Sequence, residues 1–149
     1  MVTKLQIDQF LAAEPVAIAG VSRNPKKFGY TAFREVRTKG MNAIPINPNL
    51  SEIDGVTCYK SVAELPAGIN ALWVLTRKEK TEGVVREALD KGIKNIWIQQ
   101  MSETPEALKL AEGKDVNLIS KQCLLMYFHP HGLHKFHGSL KRFFGGMPK

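Results

Sequence analysis

The sequence is short of cysteine: Cys58 and Cys123 are the whole complement, and they form no CxxC pair. Two thiols are too few for a disulfide framework, so both read as buried or half-buried side chains. Long apolar runs are missing, which excludes a membrane-spanning helix. The opening residues Met1 to Asp8 lack the apolar core of a signal peptide, so the expected location is cytoplasmic. There is no internal repeat and no linker rich in Gly, Ser or Pro, and 149 residues are most simply one domain with a real core. Acidic residues are outnumbered, 14 against 21 Lys and Arg, for a net charge of +7. That balance suits an anionic partner without naming it.

Three further absences concern motifs. Walker A, G-x-x-x-x-G-K-[ST], does not occur. The nucleophile elbow G-x-S-x-G is broken, because Asn24 stands where its last glycine belongs. The dinucleotide fingerprint G-x-G-x-x-G is incomplete, since Ser22 replaces its second glycine.

What the chain does contain is an alternation of short apolar runs and amphipathic segments. Residues 4–13 read as an opening helix over one sheet edge, closed by Pro15. Val16–Gly20 is nearly all apolar, as in strands buried on both faces. Tyr30–Lys39 is amphipathic, with Gly40 placed as a C-terminal cap. Strands are expected at Asn42–Ile46, Ala71–Leu75, within Ile93–Gln99, and at Asp115–Ile119. Helices are expected at Lys78–Lys91 before Gly92, and from Thr104-Pro105 to about Glu112. Ile53–Tyr59 reads as an extended link. Ser61 and Glu64 have the spacing of a capping box, opening one helical turn that Pro66 closes. Such alternation predicts an α/β fold: a Rossmann-like five-stranded parallel sheet with helices on both faces. It occupies residues 1–125, and residues 126–149 form a separate extension.

The best candidate site is the loop from Gly20 to Gly29, between the first strand and the next helix. Gly20, Ser22 and Gly29 with Arg23, Lys26 and Lys27 combine open backbone, a hydroxyl and three cations at a helix start. Backbone N–H groups and the helix dipole there favour a phosphate, such as the diphosphate of a nucleotide-like ligand. Ser22 reads as a hydrogen-bond donor to that phosphate rather than as a nucleophile. NAD binding would want an acid at the end of the second strand, where the sequence has Asn47-Pro48-Asn49. The three cations leave NADP, with its 2′-phosphate, as an alternative. Phe28 and Tyr30 read as packing residues, with adenine stacking as the other option.

These motifs resemble a family. Gly20-Val21-Ser22, Gly29 and Ile44-Pro45-Ile46-Asn47-Pro48 are similar to the small CoA-binding proteins of Rossmann fold, whose ligand domain is like the N-terminal domain of the succinyl-CoA synthetase alpha subunit. The likeness continues through Gly55 to Ser61, Trp97-Ile98-Gln99 and Cys123. The resemblance implies CoA or acyl-CoA as ligand. Gly20, Val21, Ser22 and the basic loop through Arg23, Lys26, Lys27, Gly29 and Tyr30 would surround the diphosphate. Asn47 and Pro48 would lie against adenosine, and Thr76 and Arg77 would line the same crevice. The family often has lysine after the Asn-Pro pair, where this chain has Asn49; Arg23, Lys26 or Lys27 would then meet the ribose 3′-phosphate. The resembling ligases place their phosphorylated histidine in a second domain, so the implied role is binding without catalysis, or that of an accessory subunit of an acyl-CoA enzyme.

The extension carries four histidines, His129, His131, His134 and His137, with no acidic residue after Asp115. With neither cysteine nor carboxylate beside them, no metal is expected. Leu133, Phe136, Leu140, Phe143 and Phe144 follow helical spacing among cations. This basic amphipathic helical tail is expected to pack on the body or on a second copy of the chain, as a homodimer contact. Nucleic acid is the less favoured partner.

Overall fold

The computed structural model describes residues 2–128. Its centre is a five-stranded parallel sheet. The strands are β1 (Val16–Ala19), β2 (Ala43–Ile46), β5 (Ala71–Val74), β6 (Asn95–Gln99) and β7 (Asn117–Gln122), in the order β2-β1-β5-β6-β7. Between β2 and β5 a small antiparallel hairpin joins β3 (Glu52–Ile53) to β4 (Val56–Thr57). The helices are α1 (Lys4–Leu11), α2 (Phe28–Thr38), α3 (Lys78–Lys91) and α4 (Pro105–Ala111). The Rossmann-like arrangement expected from the alternation is therefore present.

All four residues of β1 and of β5 are buried, because both faces of the sheet are covered. Side chains alternate between two cores. Val16, Ile18, Trp73, Trp97 and Ile119 face Phe10 of α1 and Phe33 and Val36 of α2. Ala17, Ala19, Leu72, Val74, Ile96 and Ile98 face Val85 and Ala88 of α3 and Ala107 of α4. The two tryptophans are fully buried, and each indole N–H has a partner. Trp73 Nε1 donates to Gln99 Oε1 at 3.0 Å, and Trp97 Nε1 to the Gln122 carbonyl at 3.0 Å. Pairing removes the cost of burying a bare donor. Leu124 and Tyr127 complete the first core, so packing runs on to the last described residues.

Helix α1 covers the β6–β7 edge, tied there by Gln6 and Asn117: Asn117 Nδ2 donates to the Gln6 carbonyl at 2.8 Å. Its start carries an unforeseen capping box between Thr3 and Gln6. The box expected at Ser61 does not form. Ser61 makes no side-chain cap: the Glu64 N–H, which the box would pair with the Ser61 hydroxyl, donates to the Ser61 carbonyl at 3.2 Å. The Val62 N–H, which the box does not use, donates to Glu87 Oε1 of α3 at 3.1 Å. Helix α2 starts at Phe28, two residues before its expected start, and β7 continues three residues past Ile119. The link expected at 53–59 is a hairpin, turned by Asp54 (φ 51°) and Gly55 (φ 77°), the two positive φ values of a type I′ turn. Gly40 and Gly92 end α2 and α3 with positive φ as expected. No helix among the described residues is long and apolar enough to cross a membrane. The histidines and the expected amphipathic helix and dimer contact at residues 129–149 lie outside the described residues.

Candidate functional site

Strand order reverses direction between β1 and β5, and their carboxyl ends open into a crevice of about 690 Å³. Open α/β sheets take ligands at this position, because chain leaving the two strands diverges to opposite faces. Here α2 departs to one face and α3 to the other.

Two glycines shape the near wall. Gly20 sits at φ 96°, and a Cβ there would lie 2.9 Å from the Leu75 carbonyl carbon. Leu75 N–H donates to the Ala19 carbonyl at 2.8 Å, so β1 and β5 remain paired up to the turn. At Gly29 a Cβ would stand 2.1 Å from the Gly20 carbonyl oxygen. Helix α2 thus lands directly on the end of β1, which only glycine allows. The loop between them is wound by its own side chains. Ser22 Oγ accepts from Asn24 N–H at 3.0 Å, and Asn24 Oδ1 accepts from Lys26 N–H at 3.0 Å. Accepting leaves the Ser22 hydroxyl proton available to donate.

The wall at the end of β2 is held by Asn47. Its Nδ2 donates to the Val21 carbonyl at 2.7 Å, and its Oδ1 accepts from Asn49 N–H at 2.8 Å. Asn47 therefore clamps the β2 exit to the β1 exit. Behind it lies buried Cys58, whose thiol pKa burial pushes above its ordinary 9.0, partly offset by a hydrogen bond with the Asn47 backbone. On the far wall the Thr76 and Thr81 hydroxyls are 2.8 Å apart, and Thr81 Oγ1 donates to the Arg77 carbonyl at 3.1 Å, fixing the first turn of α3 on β5.

Helices α2 and α3 both begin at this crevice, with Lys27 and Arg77 as N-caps. Neither N-cap makes a side-chain cap hydrogen bond. Two helix N-termini then present N–H groups and positive dipole ends to one space. The lining cations are Lys27, Lys60, Arg77 and Lys80, and none enters an ion pair among the described residues. The lining carboxylate is Glu87, already accepting from Val62 N–H. The shape and charge of such a crevice suit an extended polyanion.

Of the residues singled out in the sequence, the crevice gathers Gly20, Val21, Ser22, Lys27, Gly29, Asn47, Pro48, Thr76 and Arg77. It does not gather Arg23, Lys26 or Tyr30. Arg23 and Lys26 are exposed on the outer loop. Tyr30 is turned to its own helix, where its hydroxyl bonds Arg34 and the Arg34 guanidinium lies 5.2 Å from its ring centroid. Phe28, expected to pack, is 45% exposed at the crevice wall. Lys60, Lys80, Gly83 and Glu87 were missed. For Lys80 and Gly83 a signal existed, since both lie within two turns of the α3 start, and Glu87 follows on the same helix. Lys60 had only its place in the Gly55 to Ser61 stretch, which gave it no role.

The family model described as a CoA binding domain matches residues 14–129. The alpha subunit of an ADP-forming acetate–CoA ligase II from Pyrococcus furiosus is 30% identical over 118 residues, which is 77% of this chain and 26% of that subunit. The chain thus spans about a quarter of that relative's length. The uncharacterised protein YneT of Bacillus subtilis is 27% identical over 82% of this chain and 91% of its own. Among solved structures, a conserved hypothetical protein from Pyrococcus furiosus superposes with a TM-score of 0.70 at 32% identity, over 73% of this chain and 94% of that one. The match of the family model across the sheet and the crevice loops shows that the chain belongs to the CoA binding domain family.

Proposed function

We propose that this chain binds CoA or an acyl-CoA in the crevice between β1 and β5, without itself carrying out chemistry on it. One observation carries the reading: two helix N-termini and four cations without ion pairs among the described residues line a single crevice at the switch point of the sheet. A diphosphate fits between the starts of α2 and α3, within reach of Lys27 and Arg77 and of the Ser22 hydroxyl. The adenosine then lies toward Asn47 and Pro48, and Phe28 offers an exposed ring beside it. Arg23 and Lys26 serve as the outer, screening charges of the loop. One feature supports binding without catalysis. Among the described residues no nucleophile is paired with a base in the crevice, and its carboxylate is occupied by the Val62 N–H.

Thermal denaturation with added ligand tests this. A ligand at about one hundred times its dissociation constant stabilises by about 2.7 kcal/mol, roughly 5–10 °C in a domain of this size. CoA and acetyl-CoA at millimolar concentration are expected to raise the midpoint by that order. A midpoint unmoved by both overturns the reading.

A further inference from the structure

Lys60 owes its position to the tertiary fold alone. The chain after the β3–β4 hairpin returns alongside the outer edge of β2 and adds a one-residue parallel bridge, Ile46 to Tyr59. Tyr59 N–H donates to the Pro45 carbonyl at 3.0 Å, and Asn47 N–H donates to the Tyr59 carbonyl at 2.9 Å. In this register Lys60 stands beside Asn47, at the carboxyl end of β2, and it lines the crevice. The residue at the end of β2 faces the ribose in folds of this topology, and a cation there accommodates a ribose phosphate. β2 itself supplies none: Asn47, Pro48 and Asn49 are uncharged, and the Asn47 amide is spent on Val21 and Asn49. The loop cations Arg23 and Lys26, expected to stand in, do not line the crevice, and Lys27 lines it at the α2 start.

We propose that Lys60 is the specificity residue for the phosphate monoester on the ligand's ribose, an inference that rests on CoA as the occupant of this crevice. Its ammonium supplies from a neighbouring segment the charge that β2 lacks. The 3′-phosphate of CoA is a dianion near neutral pH, and an ammonium is a point-charge partner for it. Lys60 is exposed and has no ion pair among the described residues, so phosphate binding breaks no existing pair.

Isothermal titration of CoA and of 3′-dephospho-CoA into the wild-type chain, Lys60→Gln and Lys27→Gln tests the assignment, with a melting curve of each variant to show that it is folded. The wild type is expected to prefer CoA over dephospho-CoA by about fivefold or more, the scale of one charged contact at a partly exposed site. Lys60→Gln is expected to remove that preference, with a clearly smaller loss for dephospho-CoA than for CoA, and Lys27→Gln to weaken both ligands alike. A preference that survives in Lys60→Gln, or an equal loss for both ligands there, overturns the role of Lys60 while CoA binding stands. A wild-type chain that binds neither ligand overturns both.

Discussion

At the scale of single residues, the two glycines of the first loop matter for a reason different from the one their motif suggests. Phosphate-loop glycines are read as leaving room for a ligand. Here Gly29 leaves room for the protein's own backbone, since a methyl group would meet the Gly20 carbonyl oxygen at 2.1 Å. Neither the end of β1 nor the start of α2 can retreat without disturbing a fully buried strand. Gly29→Ala is therefore expected to cost about 3 kcal/mol in urea unfolding, at or above the upper end for overpacked cores. Gly20→Val would fail for the same class of reason, with φ at 96° and Leu75 in the way, so its loss of ligand would say nothing about contact. Ser22→Ala is the more informative change at this loop, because the side chain accepts one local hydrogen bond and has a proton to offer.

At the scale of elements, α3 does two jobs, and Glu87 joins them. Its carboxylate holds the first N–H of the turn at Val62–Glu64, and it stands in the wall of a crevice whose other charged lining residues are cations. A carboxylate facing a polyanion weakens it, yet its removal would orphan a half-buried N–H. Glu87→Gln separates the two effects, because the amide oxygen can still accept. We expect CoA to bind about two- to fivefold tighter to Glu87→Gln, with unfolding free energy within about 0.5 kcal/mol of wild type. Glu87→Ala should instead lose about 1–2 kcal/mol of stability through the unpaired Val62 N–H. Denaturant titration and calorimetry on the two variants measure both quantities.

At the scale of the whole molecule, the far end of the fold reports on its integrity. Tyr127 packs against Trp97 with ring centroids 5.8 Å apart, and its hydroxyl donates to Gln122 Oε1 at 2.7 Å. Burial, with a contribution from the Cys123 thiolate, pushes its pKa from 10.0 to about 12. The unfolded chain therefore releases the phenolic proton first as pH rises. The stabilisation is complete below pH 10 and is lost progressively up to about pH 12. Tyr127→Phe is expected to be less stable at neutral pH by about 1 kcal/mol but to show a shallower decline over that window. Equal slopes for the two proteins in alkaline urea titrations would contradict this account.

Much of the fold was legible in the chain because parallel strands buried on both faces are written as continuous apolar runs, and because Gly40, Gly92 and Thr104-Pro105 mark helix ends by local chemistry. Those signals act over a few residues and survive whatever packs around them. The Ser61 capping box did not form because the Glu64 N–H it would use closes the single turn onto the Ser61 carbonyl instead. The Asp54-Gly55 pair carried a hairpin signal, but with only two residues in each strand no alternating pattern supported it.

The sheet, its helices and the loop from Gly20 to Gly29 were already readable in the order of residues, since each depends on local periodicity and on where glycine is permitted. Which charges share the crevice depended on how remote segments pack. Arg23 and Lys26 belong to the loop from Gly20 to Gly29 yet do not line the crevice, whereas Lys60 and Lys80, 31 and 51 residues beyond Gly29, do. Strand order and the bridge from Ile46 to Tyr59 set those distances. Backbone pairing between remote segments leaves no mark on the composition or spacing of either one.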